Sequence, residues 1–341
     1  MSRKRAVAFG FAPLLAGLGI LCLLVYLTGP RATLATIGRL RLWQGAALVA
    51  AALASTAFGA VASCAILDRY GHRVSAWLLF RLALVAFAVG WLVPSGFVAG
   101  FPVAAWFLRR RGIPFGRSLA SFVIERFLEL AAFALVLPAI VLGDAHRLIA
   151  PWAAFLAPLA GLTIVALDLA LGWRLARRSL GVVHSFVPAI VRPAVDRGQE
   201  FCATIAEFFE APPLRILLVA SLSTLSIGAA FTRALLTVGF LDIPFGVPQV
   251  ALVLTTTLLV LGIPIAPGAL GVYEGGMAGL FHLLGRPSVE GVAYAMTSHA
   301  VELVVVLLGL LFLAELGISL ARVREATAAA TPHLTVPKAH Q

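Results

Sequence analysis

Long apolar segments recur along the chain and alternate with short polar loops. An apolar run of about 20 residues is long enough to cross a bilayer as a helix. We predict helices over 7–28, 43–67, 75–93, 118–142, 151–173, 213–240, 247–263 and 290–318, with shorter apolar arms at 97–108 and 269–284. The first run is too long for the apolar part of a signal peptide, so we predict an uncleaved helix. The pattern predicts an all-α polytopic membrane protein.

Composition agrees with this class. The chain is 61% hydrophobic and only 12% charged, with a mean hydropathy of +1.01, whereas soluble domains carry about 25% charged residues. A transmembrane β-barrel would show short alternating segments instead. Cys22, Cys64 and Cys202 are scattered without CxxC spacing, which indicates neither a metal site nor a disulfide framework. We therefore predict no metal and no cofactor.

The net charge of +11 is best explained by membrane topology. The arginines lie in short loops beside the apolar segments and not in a basic domain, so nucleic-acid binding is not predicted. The positive-inside rule is satisfied if both termini are cytoplasmic and 75–108 and 247–284 are re-entrant hairpins. We thus predict about six full crossings and two hairpins in a protein of the bacterial cytoplasmic (inner) membrane.

Each hairpin is broken by proline and glycine. The first break is Val93-Pro94-Ser95-Gly96, and the second runs from Pro264 to Gly268. Paired interrupted segments in two halves of a chain are typical of inverted-repeat transporters. An inverted repeat is therefore a hypothesis, although no residue-level repeat is visible. The predicted units are 1–173, 174–212, 213–321 and 322–341.

Residues 174–212 are the longest polar stretch and have amphipathic spacing, for example at Phe201, Ile205 and Phe208. Two interpretations stay open. The stretch forms cytoplasmic helices at the headgroup surface, where arginines meet anionic lipid, or it is a plain linker. Residues 322–341 are rich in Ala, Thr and Pro, and we predict a disordered tail.

The break within PIAPGALGVYEGG raises the main functional question. Unwound backbone at membrane depth must be buried in protein or line a cavity. The arm that begins at Ala269 presents free N–H groups at a helix N-terminus, which favours an anion such as a phosphate headgroup. Glu274 lies beside the break, and a carboxylate in a span costs about 2.5–3.5 kcal/mol, so it needs a partner or a task.

Further ionisable residues lie at membrane depth. Under one interpretation they neutralise each other and hold the helices in register. Under the other, Arg126 or Arg233 contacts a lipid phosphate while the carboxylates balance the site or carry protons. The spacing of His299 and Glu302 alone does not predict a metal site. The candidate substrate-binding residues are Glu125, Arg126, Glu129, Arg233, Pro267, Gly268, Gly271, Glu274, His299 and Glu302.

Two blocks carry a family resemblance. They read LVPSGFVAGFPVAAWFLRRRGIPFGRSLASFVIERFLEL and LGIPIAPGALGVYEGGMAGLFHLLG. The chain resembles the flippase-like family named after the transmembrane region of lysylphosphatidylglycerol synthase. The resemblance implies a multi-spanning, lipid-handling domain, and its signature positions would be Glu125, Arg126, Pro267, Gly268, Gly271 and Glu274.

The leading functional hypothesis is a flippase-like protein that moves or presents an anionic lipid, either a phospholipid or a polyprenyl-phosphate-linked lipid. Its expected partners are membrane lipids and a lipid- or glycan-synthesis enzyme. One alternative is an intramembrane polyprenyl-phosphate phosphatase, although PIAPGALG contains no Ser, Arg or His for catalysis. Another is a non-catalytic accessory subunit. No aminoacyl-transferase segment follows the last span, so we expect no synthase activity.

Overall fold

The structure is a computed structural model that describes residues 40–93, 99–143, 192–263 and 265–330, with the isolated positions 23, 26, 31 and 38. Within these residues the chain is helical and has no β-strand, which confirms the all-α class. The helices are α1 Leu42–Arg69, α2 Ala76–Leu92, α3 Gly100–Arg109, α4 Phe115–Gly143, α5 Arg192–Phe209, α6 Pro213–Phe240, α7 Val247–Leu261, α8 Val272–Leu283 and α9 Ser288–Ala330.

Most helix ends lie within a few residues of their predicted positions because hydropathy marks these segments clearly. The segments Leu42–Arg69, Pro213–Phe240 and Ser288–Gly317 are each long and apolar enough to cross a membrane. The predicted helices at 7–28 and 151–173 lie outside the described residues. The predicted count of six crossings therefore stays a prediction.

The described helices fall into two groups with the same order of lengths. We call α1 to α4 the first half and α6 to α9 the second half; each half contains a long helix, two short helices and a long helix. Helices α1 and α6 pack against each other in opposite directions. The Trp43 ring meets that of Phe240, and Asp68, at the other end of α1, lies 3.4 Å from Arg215.

The two short helices of each half fold back on one another. A Cβ built on Gly100 of α3 would lie 1.8 Å from the Ala86 carbonyl oxygen of α2. In the second half, the Thr257 hydroxyl of α7 lies 3.2 Å from the Tyr273 hydroxyl of α8. Both pairs thus reverse direction where the sequence predicts hairpins. The break residues 94–98 lie outside the described residues, and re-entry into a membrane stays a prediction.

Helices α1, α3, α6 and α8 end alike. The residue that closes each end has a positive φ, and the next amide donates back into the last turn as in a Schellman motif. These closing residues are Gly71 (80°), Gly112 (85°), Asp242 (55°) and Gly285 (75°). Because α6 and α8 follow α1 and α3 in this respect, the two halves also share their turn chemistry.

Helix α5 docks on the first half. Its Ile205 and Phe208 are buried in the same core cluster as Ile66 of α1, and the Tyr70 hydroxyl donates to the Thr204 carbonyl at 2.7 Å. Burial, and secondarily the Glu207 carboxylate, raise the pKa of Tyr70, so the hydroxyl keeps its proton. The apolar face predicted from 174–212 therefore contacts protein here. Residues 174–191 lie outside the described residues.

The last helix continues to Ala330, past its predicted end at residue 318 and into the segment predicted to be a disordered tail. The continuation is rich in alanine and also contains two arginines and a glutamate, which are strong helix formers, so the helix extends beyond its apolar part. Residues 331–341 of the predicted tail lie outside the described residues.

Candidate functional site

The second break is a short 3-10 turn, Pro267–Ala269, between α7 and α8. Left-handed backbone recurs there, with φ of 59° at Gly268, 53° at Ala269 and 78° at Gly271. Only glycine adopts this region freely. Gly268 has a second reason to be glycine: a Cβ there would lie 2.4 Å from Cε2 of Trp91, a residue of α2. The break of the second half is therefore fitted against the first half.

Glu274 is fully buried beside this break, with 0% exposure. Its Oε2 accepts from the Gly271 amide at 2.7 Å, and its Oε1 lies 2.8 Å from Nδ1 of His299. The carboxylate thus caps the N-terminus of α8 from within. We predicted a phosphate at this helix end, but in the structure the chain's own carboxylate occupies the position.

Glu302 lies on the other side of the His299 imidazole, facing Nε2. Its Oε2 accepts from Trp91 Nε1 at 3.3 Å and lies 3.9 Å from His299 Nε2, while its Oε1 is 3.8 Å from the Arg233 guanidinium. We call Arg233, Glu274, His299 and Glu302 the second cluster. Its charges balance when His299 carries a proton, since two carboxylates then face two cations.

Helix α4 carries another charged group, in which two glutamates are buried and the arginine is half exposed. Arg126 forms an ion pair with Glu129, whose other oxygen accepts from the Ser226 hydroxyl of α6 at 2.8 Å. Glu125 lies against α1, where a Cβ on Gly59 would be 2.7 Å from its Oε1. We call Glu125, Arg126 and Glu129 the first cluster. Its arginine side chain is 48% exposed, whereas that of Arg233 is 19% exposed.

The two clusters occupy equivalent positions. Counted from the first residue of α4 and of α9, Arg126 corresponds to His299 and Glu129 corresponds to Glu302. The same count on α1 and α6 pairs Ser55 with Ser226, whose hydroxyl oxygens lie 3.2 Å apart. Each half therefore places a basic side chain and a glutamate, one turn apart, at the same level of its last helix.

The candidate residues predicted from sequence thus separate into two groups. The first cluster holds those on α4, and the others lie in or beside the second cluster, with Pro267 and Gly268 buried in the break itself. Sequence reasoning missed Trp91, Gly59 and Ser226. The position of Trp91, just before the first break, was a usable signal; nothing in the sequence marks Ser226. Among the described residues no group of His, Cys, Asp and Glu side chains converges as a metal site.

Long apolar helices with charged clusters buried between them define an α-helical integral membrane protein. The chain belongs to the family described as the lysylphosphatidylglycerol synthase TM region, which matches residues 10–309. This confirms the resemblance found in the sequence, and the match is to the transmembrane region alone. No curated protein and no solved structure matches the chain.

Proposed function

We propose that this protein moves or presents an anionic lipid, phospholipid or polyprenyl-phosphate-linked, between the two membrane leaflets. The observation that carries the proposal is the pair of charged clusters at equivalent positions of two oppositely directed halves. Charges inside a bilayer are expensive, and where they occur they usually serve a substrate or ion pathway. Membership in a lipid-synthase transmembrane family supports a lipid as the substrate.

Arg126 is the residue that we assign to the lipid phosphate. The N-terminus of α8 is occupied by Glu274, and Arg233 is mostly buried against Glu302. The Arg126 side chain is about half exposed although Glu129 pairs with it. A guanidinium keeps further donors when one carboxylate is bound, so it can accept a phosphate as well.

The second cluster is suited to couple the halves. Trp91 belongs to the first half and meets Gly268 and Glu302 of the second. A rocking motion of one half against the other would separate these contacts. Buried and discrete interactions of this kind favour two distinct arrangements over a continuous range. We therefore assign Glu274, His299 and Glu302 to the switch between arrangements.

The test is movement of fluorescent anionic lipids, including a polyprenyl phosphate, by purified protein in liposomes. Glu274→Gln, which weakens the link to His299, and Arg126→Gln are expected to lower the rate about tenfold or more. Glu290→Gln and Arg286→Gln are the matched controls, because that pair lies beside a surface turn. Normal movement in both site variants would overturn the proposal. Retained lipid binding without any movement would support an accessory role.

The phosphatase alternative has one observation in its favour. His299 is oriented by Glu274, and its Nε2 has no hydrogen-bond partner among the described residues, as in a general base. That nitrogen, however, faces the Glu302 carboxylate, which would repel a phosphate. Phosphate release from a polyprenyl diphosphate in the same liposomes tests this alternative. Release lost in His299→Gln would establish it.

A further inference from the structure

A cavity of about 370 Å³ lies between the α1–α2 turn and the α3–α4 turn. Its floor is apolar and comes from Leu78 and Ile113, which are both buried. The rim is formed by both turns, and its full lining is Gly71, His72, Arg73, Val74, Ser75, Leu78, Arg111, Gly112 and Ile113. The cavity is on the surface, and none of its lining residues belongs to either charged cluster.

The charged residues that line this cavity are basic. Arg73 and Arg111 are exposed and make no ion pair within the described part of the chain, and no carboxylate is among the lining residues. Arg117 adds a further cation at the side: its Nη1 donates to the Tyr70 carbonyl at 3.1 Å and lies 3.4 Å from His72 Nε2. A concave site with unpaired guanidinium groups attracts a phosphate.

The position of the cavity favours a lipid as the source of that phosphate. Trp77 begins α2 beside Ser75, and Trp106 lies one turn before Arg110, whose guanidinium stacks on its ring at 4.9 Å. Both tryptophans are exposed. Exposed tryptophan at the end of an apolar helix is typical of the headgroup level of a bilayer. The unpaired arginines are therefore placed where lipid phosphates lie.

The second half shows that the fold alone does not demand these charges. Counted from the helix starts, Ile243 and Pro244 replace His72 and Arg73. Counted back from the closing glycines Gly112 and Gly285, Leu284 replaces Arg111. The equivalent turns there keep the same backbone closures. The turn geometry therefore does not require the basic lining. The positive-inside rule accounts for arginines on cytoplasmic turns, and what points to a ligand is that Arg73 and Arg111, from two separate turns, line the same cavity.

We propose that this cavity binds the phosphate of an anionic lipid headgroup, with Arg73 and Arg111 as the residues that hold it. The lipid's acyl chains would stay in the bilayer beside α2. The site is separate from the clusters assigned to lipid movement, and the proposal does not depend on whether the protein moves lipid.

The test uses the full chain purified in a neutral detergent, with short-chain phosphatidic acid, short-chain phosphatidylcholine and inorganic phosphate as probes. We expect Arg73→Gln/Arg111→Gln to lower the number of phosphatidic acid molecules bound tightly per chain by one, because binding at the cavity weakens about tenfold or more. Arg73→Lys/Arg111→Lys should retain part of the affinity because the charge remains. Thermal unfolding of each variant checks that it is folded.

The matched control is Arg109→Gln/Arg110→Gln, which removes the same amount of charge directly before Arg111 but outside the cavity lining. It should change the affinity less than twofold, within about 0.4 kcal/mol. Equal weakening in both double variants would show diffuse attraction and overturn the site. If phosphatidylcholine bound as tightly as phosphatidic acid, the site would not select an anionic headgroup, and the proposal would be overturned. If inorganic phosphate bound as tightly as phosphatidic acid, the site would bind free phosphate and not a lipid headgroup. Unchanged lipid movement in Arg73→Gln/Arg111→Gln would leave this site and the transport proposal independent.

Discussion

The two halves of the molecule share the same order of helices but carry different charged residues. Each has a long helix, a reversing pair of short helices and a second long helix, and each closes equivalent helix ends with positive-φ residues. Yet the first half carries Glu125 and Arg126 where the second carries Ser298 and His299. The frame is set by packing, which tolerates many sequences, while the buried charges are particular to each half.

The difference is also one of exposure. The Arg126 side chain is 48% exposed, whereas His299 at the equivalent position is 9% exposed and lies between two carboxylates. In this arrangement the first cluster is the accessible one, and the second is closed by Trp91. Alternating access would require a second arrangement in which the first cluster is closed and the second cluster is accessible.

The largest expected effects come from changes to the shared frame. Gly291→Ala would place a Cβ 2.4 Å from the Met277 carbonyl, and Gly100→Ala would place one 1.8 Å from that of Ala86. A backbone carbonyl cannot move aside as a flexible side chain can. We therefore expect each of these two variants to lose about 3 kcal/mol of unfolding free energy. The measurement is thermal unfolding in detergent.

Gly279→Ala is the control for both substitutions. Nothing lies within 4 Å of a Cβ at that helical position, so the variant should be neutral or more stable by up to about 1 kcal/mol. If Gly291→Ala were as stable as Gly279→Ala, the close approach of α8 and α9 would be wrong.

The equivalent glutamates should differ. Glu302→Gln leaves Arg233 without a charged partner in a buried site and removes one of the two carboxylates beside His299, and we expect a loss of about 3 kcal/mol. Glu129→Gln removes the ion-pair partner of Arg126, but Arg126 is half exposed. The variant should therefore lose only about 1 kcal/mol of unfolding free energy. Unfolding of both variants is compared with that of Glu302→Gln/Arg233→Gln, which should recover part of the loss. A larger loss in Glu129→Gln would reverse the assignment of the closed cluster.

The smallest effects are expected where the halves meet. Ser226 donates toward Ser55 or Glu129, so Ser226→Ala should cost about 1 kcal/mol, while Ser55→Ala should cost less. Ser221→Ala, at an exposed position of the same helix, serves as the control. Identical unfolding temperatures for Ser226→Ala and Ser221→Ala would contradict the contact.

The sequence predicted the helices better than the site. Apolar runs and the Pro/Gly breaks located most ends, because both signals are local. Trp91 and Ser226 were missed because each acts on residues far away in the chain, across the contact between the halves. The phosphate predicted at the start of α8 stays a prediction. Glu274 caps that helix end from three residues past Gly271, and this spacing was a usable signal in the sequence.

The equivalence of the two halves is not visible in the sequence for another reason. No residue pattern links the halves because Glu125-Arg126 and Ser298-His299 differ in kind, and only the helix starts bring them into register. Packing of the same kind tolerates different side chains. Glu129 and Glu302 are identical residues at the same count from their helix starts.

The central claim is that the halves are inverted and that the basic turns face the cytoplasm. It is tested most directly with single cysteines at Ser75 and Gly246, the residues before α2 and α7, in a chain whose natural cysteines are replaced by serine. We predict that a membrane-impermeant thiol reagent labels Ser75→Cys only from the cytoplasmic side and Gly246→Cys only from outside. Labelling of both positions from the same side would contradict the inversion.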